Sequence, residues 1–111
     1  MADSPINQIK IRAIEAQVIE ILRTTYDPEI PVNIYDLGLV YDIDVDSAGV
    51  VTIQMTLTSP ACPVAEILPA QVESRVNAID GVTDTQVQIV WDPPWTPERM
   101  SDAAKLELGF M

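Results

Sequence analysis

The sequence contains no histidine, which excludes the sites that depend on an imidazole: Ser-His and Cys-His dyads and the HExxH zinc motif. It contains one cysteine, Cys62. A single thiol can form neither an internal disulfide nor a four-thiolate metal site within one chain. Any chemistry must therefore use Cys62, carboxylates, hydroxyls or backbone amides. Any metal must be shared between chains or held largely by oxygen ligands.

Positive charge is also scarce. Six Lys and Arg stand against 17 Asp and Glu, which gives a formal net charge of −11 at pH 7. Phosphate backbones and anionic lipid surfaces are bound mainly through cations, so we expect neither nucleic acid nor a membrane as a partner. The sequence has no apolar run of roughly 18 residues and no basic amino-terminal segment followed by an apolar one. Together with the lone thiol, these absences predict a cytoplasmic protein.

What is present is the composition of a globular domain. Hydrophobic residues make up 48% of the 111 positions, which is enough to bury a core in one domain of ordinary size. We therefore expect residues 1–111 to form a single domain. Within it, prolines at 93 and 94 end the regular pattern, and residues 92–111 are predicted to be a C-terminal loop and short helix.

Hydrophobic periodicity predicts the order α-β-β-α-β-α. Apolar residues recur at helical spacing over 6–25 and 64–79, and a cap, a proline and an acid begin a third helix at 97–108. Apolar and polar residues alternate over 39–45, 51–57 and 83–91. This pattern is typical of the α+β class, here a compact α/β sandwich whose small, mostly antiparallel sheet carries its helices mainly on one face. Pro69 indicates either a kinked second helix or a helix that begins near that residue.

Cys62 is the first candidate for chemistry, because Pro63 follows it and proline is common in the first turn of a helix. Free amides and the positive end of a helix favour the thiolate over the thiol, so this position predicts a reactive cysteine. Acidic neighbours would oppose that effect. The alternative is a buried cysteine that packs as a small hydrophobe.

A second candidate is an acidic loop formed by Asp27, Glu29 and Asp36. Prolines at 28 and 31 stiffen the segment and could preorganise its carboxylates as oxygen ligands. The alternative is that these acids only make turns and caps.

Two threonines and two tryptophans complete the set of candidates. Thr56 and Thr58 lie on the polar face of the second predicted strand, where they can hydrogen-bond near Cys62 or simply favour the strand. Trp91 continues the apolar face of the third strand and is expected in the core. Trp95 follows a rigid Pro-Pro pair and is a candidate partner-binding residue, or else it closes the edge of the core.

Three motifs in this order resemble the SufT-type family of iron-sulfur cluster assembly factors: DPEIPVNIYDLGLV at 27–40, TLTSPACP at 56–63 and WDPPWTPERM at 91–100. The resemblance extends from about residue 14 to the carboxyl terminus. It implies the compact fold called the iron-sulfur cluster assembly domain. It also implies an auxiliary factor in the maturation of iron-sulfur proteins, with a SUF-type assembly scaffold and apoprotein clients as partners, and not an enzyme.

The resemblance places the family's functional cysteine on Cys62 and its acidic loop on Asp27, Glu29 and Asp36. Thr56, Thr58 and Pro63 would support the thiol, and no residue is assigned a catalytic role. Because a stable cluster usually takes four ligands, we expect no stably bound cofactor, and Cys62 is the candidate ligand for iron or a cluster held transiently. Two chains could supply two thiolates.

Other interpretations stay open at this point. Cys62 could serve a thiol-redox protein that uses an external resolving thiol, or the chain could be a structural module. A maturation subunit for a phenylacetyl-CoA oxygenase-like enzyme is a further alternative, although such relatives are often longer and carry additional cysteines. Apolar residues at 106, 108, 110 and 111 can pack onto the domain or onto a second chain, so we also consider a homodimer.

Overall fold

The structure is a computed structural model that describes residues 5–26, 32–57 and 62–109, with side chains over 8–26, 32–57 and 67–109. Along these ranges the chain forms α1 (Pro5–Leu22), β1 (Val40–Val45), β2 (Val50–Met55), α2 (Cys62–Asn77), β3 (Asp84–Ile89), a 3-10 turn (Pro97–Arg99) and α3 (Asp102–Glu107). The predicted order α-β-β-α-β-α is confirmed.

β1 and β2 form an antiparallel hairpin, as the alternating pattern predicts. Its turn is fixed by Asp46, whose Oδ1 accepts hydrogen bonds from the backbone N–H groups of Ala48 at 2.9 Å and Val50 at 3.0 Å. Gly49 occupies the left-handed region at φ +87°, which a residue without Cβ adopts at little cost. The local chemistry of the turn therefore sets the register of the two strands.

β3 pairs with the other edge of β2 in a parallel direction, so the sheet order is β1-β2-β3 and the sheet is mixed. The sequence pattern predicted a mostly antiparallel sheet. The difference arises because α2 lies between β2 and β3. A helical crossover returns the chain to the end of the sheet at which β2 began, so the next strand runs in the same direction as β2.

The core lies between one face of the sheet and the two long helices. It is one cluster of buried side chains that includes Val51, Ile53 and Met55 of β2, Ile14, Val18 and Leu22 of α1, and Leu68, Val72 and Val76 of α2. The other face of β2 carries Thr52 and Gln54, and its β1 partners there are Asp44 and Asp42. The helices therefore pack on one face, as expected, and the polar alternation marks the other.

The helices settle one point that the sequence left open and correct one prediction. α2 is one helix from Cys62 to Asn77 with Pro69 inside it, so the helix does not begin at that proline. The predicted terminal helix is interrupted: Met100 is extended, at φ −67° and ψ 146°, and Ser101 caps α3 by accepting a hydrogen bond from Ala104 N–H at 3.2 Å. Of the helices in the described ranges, none combines the length and apolar character that crossing a membrane requires.

Arg75, near the end of α2, fastens the end of α1. Its guanidinium donates to Thr25 Oγ1 at 2.6 Å, to Thr24 Oγ1 at 2.7 Å and to the Thr24 carbonyl at 3.0 Å. Thr25 is completely buried, and charged hydrogen bonds at a partly buried site are stronger than neutral ones. Arg75 therefore fixes the residues that lead into the segment 27–31.

We expect Arg75→Lys to lower the free energy of unfolding by about 2 kcal/mol. An ammonium group on a single stem does not reproduce the planar fork that reaches both threonines, and hydrogen bonds to charged groups each contribute about 1.5–3 kcal/mol. Urea unfolding measures the change. Arg12→Lys is the matched control: Arg12 is exposed on α1, and the same substitution there is expected to change stability by less than about 0.5 kcal/mol. Equal effects of the two substitutions would contradict the stabilising role of the Arg75 hydrogen bonds to Thr24 and Thr25.

Candidate functional site

The structure places the predicted site residues unevenly. Asp27, Glu29 and Thr58 lie outside the described residues. Cys62 and Pro63 are the first two residues of α2, and their side chains lie outside the described atoms. The backbone thus puts the cysteine at the start of the helix, where the sequence predicted it.

Backbone contacts join the residues on the two sides of the segment 27–31, and we call these residues the base of the segment. Tyr26 and Asn33 form an antiparallel bridge, and Ile34 N–H donates to the Thr25 carbonyl at 2.8 Å. The Arg23 guanidinium lies over the Tyr35 ring, 5.2 Å from its centroid, a distance typical of a cation–π contact. The residues on the two sides of the segment 27–31 are therefore held together, and one of them, Thr25, is also bound by Arg75.

Asp36 lies in a turn of residues 33–38, which we call the acidic turn. Its Oδ2 accepts a hydrogen bond from Asn33 Nδ2 at 2.9 Å, and its backbone N–H donates to Asn33 Oδ1 at 2.9 Å. This reciprocal pair fixes the half-buried carboxylate on a defined side of the turn. The structure accordingly gives Asp36 a rigid setting.

The acidic turn borders a cavity of about 270 Å³ that lies between it and α3. The residues that line it include two acids, Asp36 and Glu107, together with Asn33 and Tyr26. No Lys or Arg is among the described residues that line it. This region therefore concentrates negative charge next to the closed base of the segment 27–31.

Thr56 is completely buried, so its predicted place on the polar face of the second strand is wrong: β2 ends at Met55, and Thr56 lies just beyond the strand. Its N–H donates to the Leu39 carbonyl at 2.8 Å, and within the described part of the chain its Oγ1 has no hydrogen-bond partner. It directly follows β2 and precedes Cys62 by six positions. A buried hydroxyl without a partner is costly, so this hydroxyl is expected to lower the stability of the domain.

The two tryptophans differ from each other. Trp91 is 49% exposed, so its predicted place in the core is wrong: β3 ends at Ile89, and Trp91 no longer follows the buried face of the strand. Trp95 is half-buried, packs against the core and donates from Nε1 to the Leu37 carbonyl at 2.6 Å. Its indole N–H is thus used within the chain, and binding of a partner by Trp95 stays a prediction.

Arg75 and Ser101 are residues that the sequence analysis missed. Arg75 holds the root of the acidic loop, and Ser101 N–H donates to the Asp36 carbonyl at 2.8 Å. An arginine in the last turn of a helix and a serine before an acid are weak signals. Neither identifies a partner some 50 or more positions away in the chain.

Metal ligation within the described ranges is limited. No three Cys, Asp or Glu side chains there lie together as a group that could hold a metal ion. The structure does not describe the side chains of the predicted ligands, which are the acids at 27 and 29 and the thiol at 62. The described residues supply a joined loop base, a fixed Asp36 and the start of α2.

The described residues form a mixed three-stranded sheet with two helices on one face. One of these helices starts at a cysteine, and an acidic turn precedes β1. These features define a small α+β class of protein. The family model described as "Iron-sulfur cluster assembly protein" matches residues 15–89. The chain belongs to this family, which confirms the resemblance found in its motifs.

Relatives agree with this assignment. The chain is 46% identical over 97 residues to a protein of Porphyromonas gingivalis named Fe-S protein maturation auxiliary factor, covering 87% of this chain and 92% of that protein. It is 48% identical over 83 residues to the Fe-S protein maturation auxiliary factor SufT of Staphylococcus aureus, covering 75% and 94%. The crystal structure of a domain of unknown function, DUF59, from Bacillus anthracis matches with a TM-score of 0.83 and 38% identity, covering 94% and 99%.

We expect Thr56→Val to leave the free energy of unfolding unchanged or to raise it by up to about 1 kcal/mol, because it removes a buried hydroxyl while keeping the shape of the side chain. Thr85→Val is the matched control. Thr85 is also buried, and its Oγ1 donates to Asn77 Oδ1 at 2.7 Å, so its loss should cost about 1 kcal/mol. Denaturant unfolding of both variants makes the comparison. An equal loss in Thr56→Val would show that its hydroxyl is bonded in the native protein.

Proposed function

We propose that this protein is an auxiliary factor in iron-sulfur cluster assembly that supports the maturation of iron-sulfur proteins. The observation that carries this proposal is the similarity to proteins named Fe-S protein maturation auxiliary factors over nearly their whole length. The family model, which covers the chain from the second half of α1 to the end of β3, supports it.

In this proposal Cys62 is the residue that contacts iron or a cluster, and the cluster is cargo. A thiolate is a preferred ligand for iron-sulfur clusters, and the start of a helix favours the thiolate form. One thiol per chain is too few for a stable four-ligand site, so contact is transient or uses two chains. The chain then acts as a carrier or adaptor and not as an enzyme that turns over a substrate.

Asp27, Glu29 and Asp36 form the second part of the proposed site. Arg75 binds Thr24 and Thr25 at the root of this loop, and Arg75 belongs to the same helix that Cys62 begins. The helix α2 therefore carries the thiol at one end and the anchor of the acidic loop near the other. About 20 Å of helix axis separates the two positions, so α2 joins the thiol and the anchor of the loop without bringing them together.

The proposed partners are an assembly scaffold and apoprotein clients. With a net charge of −11, the protein would be attracted to basic protein surfaces and repelled by nucleic acid and anionic lipid. We place this activity in the cytoplasm. Trp95 and the two Trp-flanked prolines remain the proposed contact region, and a homodimer remains a proposal for the state that shares a cluster.

In cells that lack this protein and grow under iron limitation, we expect the activity of several iron-sulfur enzymes to fall while their apoprotein abundance persists. Wild type should restore the activity, and Cys62→Ser at matched abundance should not, because the substitution removes the thiolate ligand. Gln71→Ala, an exposed change on the same helix, is the control and should restore it fully. Enzyme activity per unit of apoprotein is the measurement. Full rescue by Cys62→Ser would rule out a role for the thiol. Unchanged iron-sulfur enzyme activity in the deletion strain would rule out the proposed function.

Direct handling of cargo is tested separately with purified protein. After anaerobic incubation with Fe²⁺ and sulfide, we expect iron and sulfide to be retained by wild type and lost in Cys62→Ser, as measured by metal analysis and visible absorption. Retention should weaken on chelator treatment, because fewer than four protein ligands come from one chain. If wild type retains neither element, the carrier role is excluded and only an adaptor role is left.

A further inference from the structure

Residues 92–109, which we call the C-terminal strap, run back across the acidic turn. Trp95 Nε1 donates to the Leu37 carbonyl at 2.6 Å, and Ser101 N–H donates to the Asp36 carbonyl at 2.8 Å. Two consecutive carbonyls of the turn are therefore bound by two different parts of the strap.

The next residue of the turn is in direct contact with the strap. Gly38 occupies the left-handed region at φ +80°, and a Cβ at this position would collide with the backbone carbonyl of Arg99. Only glycine permits both the backbone conformation and this close approach. Residues 36, 37 and 38 are thus each held against the strap.

The strap is itself fastened to the domain. Met100 and Ala104 are 4% and 2% exposed and belong to the core cluster. Tyr41 Oη donates to the Pro93 carbonyl at 2.8 Å, and the Arg99 guanidinium lies 4.6 Å from the centroid of the same ring. A segment anchored in this way can hold the turn in one position.

The strap also lies outside residues 15–89, the part of the chain that matches the family model. Asp36, which the motif resemblance assigns to the acidic loop, lies inside that part. The strap, which contains nearly all of the third motif at 91–100, fixes the backbone on which a proposed functional carboxylate is mounted.

We propose that Trp95 and Ser101 are positioning residues for Asp36. By binding the carbonyls of Leu37 and Asp36, they hold the peptide groups that follow the carboxylate, so that the Asn33–Asp36 pair is presented in one orientation. A loose support around a functional group reduces its effectiveness even when the group is intact. The functional part of this inference rests on the proposed role in iron-sulfur protein maturation.

Ser101→Pro is the sharpest test, because it removes the N–H that donates to the Asp36 carbonyl. The backbone accepts the change: Ser101 has φ −65° and Met100 before it is extended, the conformations that proline and its predecessor prefer. Ser101→Ala is the matched control. It keeps the N–H and loses only the hydroxyl that caps α3, a loss that both variants share.

Trp95→Phe is the second variant. It removes the indole N–H while keeping an aromatic ring, and Trp91→Phe makes the same change at an exposed position. The two pairs keep the inference testable if one variant fails to fold.

The first readout is amide hydrogen exchange of the purified variants. The N–H groups of Leu37, Gly38 and Leu39 close the acidic turn through bonds to Asn33, Tyr35 and Ile34. We expect their exchange to be about fivefold faster in Ser101→Pro and Trp95→Phe than in the matched controls, the effect of losing one ordinary hydrogen bond. The amides of β2 should keep their wild-type rates, whereas a general loss of stability would accelerate them as well.

The second readout is rescue of iron-sulfur enzyme activity in the deletion strain at matched abundance. We expect Ser101→Pro and Trp95→Phe to rescue several-fold less than Ser101→Ala and Trp91→Phe, and to approach Asp36→Asn. Full rescue by both positioning variants, full rescue by Asp36→Asn, or unchanged exchange at the turn would each overturn the inference. An enzyme activity that does not fall in the deletion strain would instead refute the proposed function, before any variant is compared.

Discussion

The pairing of β2 on both of its edges is the constraint on which the rest of the structure depends. Its inner side chains Val51, Ile53 and Met55 are completely buried, and its carboxyl end is also a junction. Thr56 N–H donates to the Leu39 carbonyl at 2.8 Å, and Val90 N–H donates to the Met55 carbonyl at 2.9 Å. The end of the acidic turn and the segment that leads into the C-terminal strap are therefore tied to one strand, and the chain proceeds from that end toward Cys62.

Contacts between distant segments hold the described part of the acidic region in a defined position. Ionised carboxylates repel each other, so a flexible acidic segment would extend into solvent. Here Arg75 holds the root of the loop, the Tyr26–Asn33 bridge closes its base, and the strap holds the turn that carries Asp36. This rigidity comes from hydrogen bonds to backbone carbonyls and to threonine hydroxyls, and at Asp36 the carboxylate itself accepts a hydrogen bond from Asn33 Nδ2.

The elements were predicted from the sequence because their patterns are local. Helical spacing marked α1 and α2, alternation marked the strands, and Asp46 with Gly49 marked the hairpin turn. Prediction failed where long-range packing decides. Trp91 continues the alternation of β3 in the sequence but is 49% exposed, and the predicted terminal helix is divided at Met100, which is buried in the core. Sequence periodicity predicts neither the exposure of Trp91 nor the break at Met100, because both depend on which distant residues pack against these positions.

For the site, the sequence by itself determined its chemistry: one thiol, no imidazole and a strong excess of carboxylates, in motifs that identify the family. Only the tertiary structure decided the supports of these groups. Arg75 meets Thr25 across 50 positions, and Trp95 meets Leu37 across 58. Residue types set which atoms can ionise, bind or donate, and this is a local property. The contacts that orient those atoms are made when distant segments fold onto one strand. The packing of the whole chain determines which residues make these contacts.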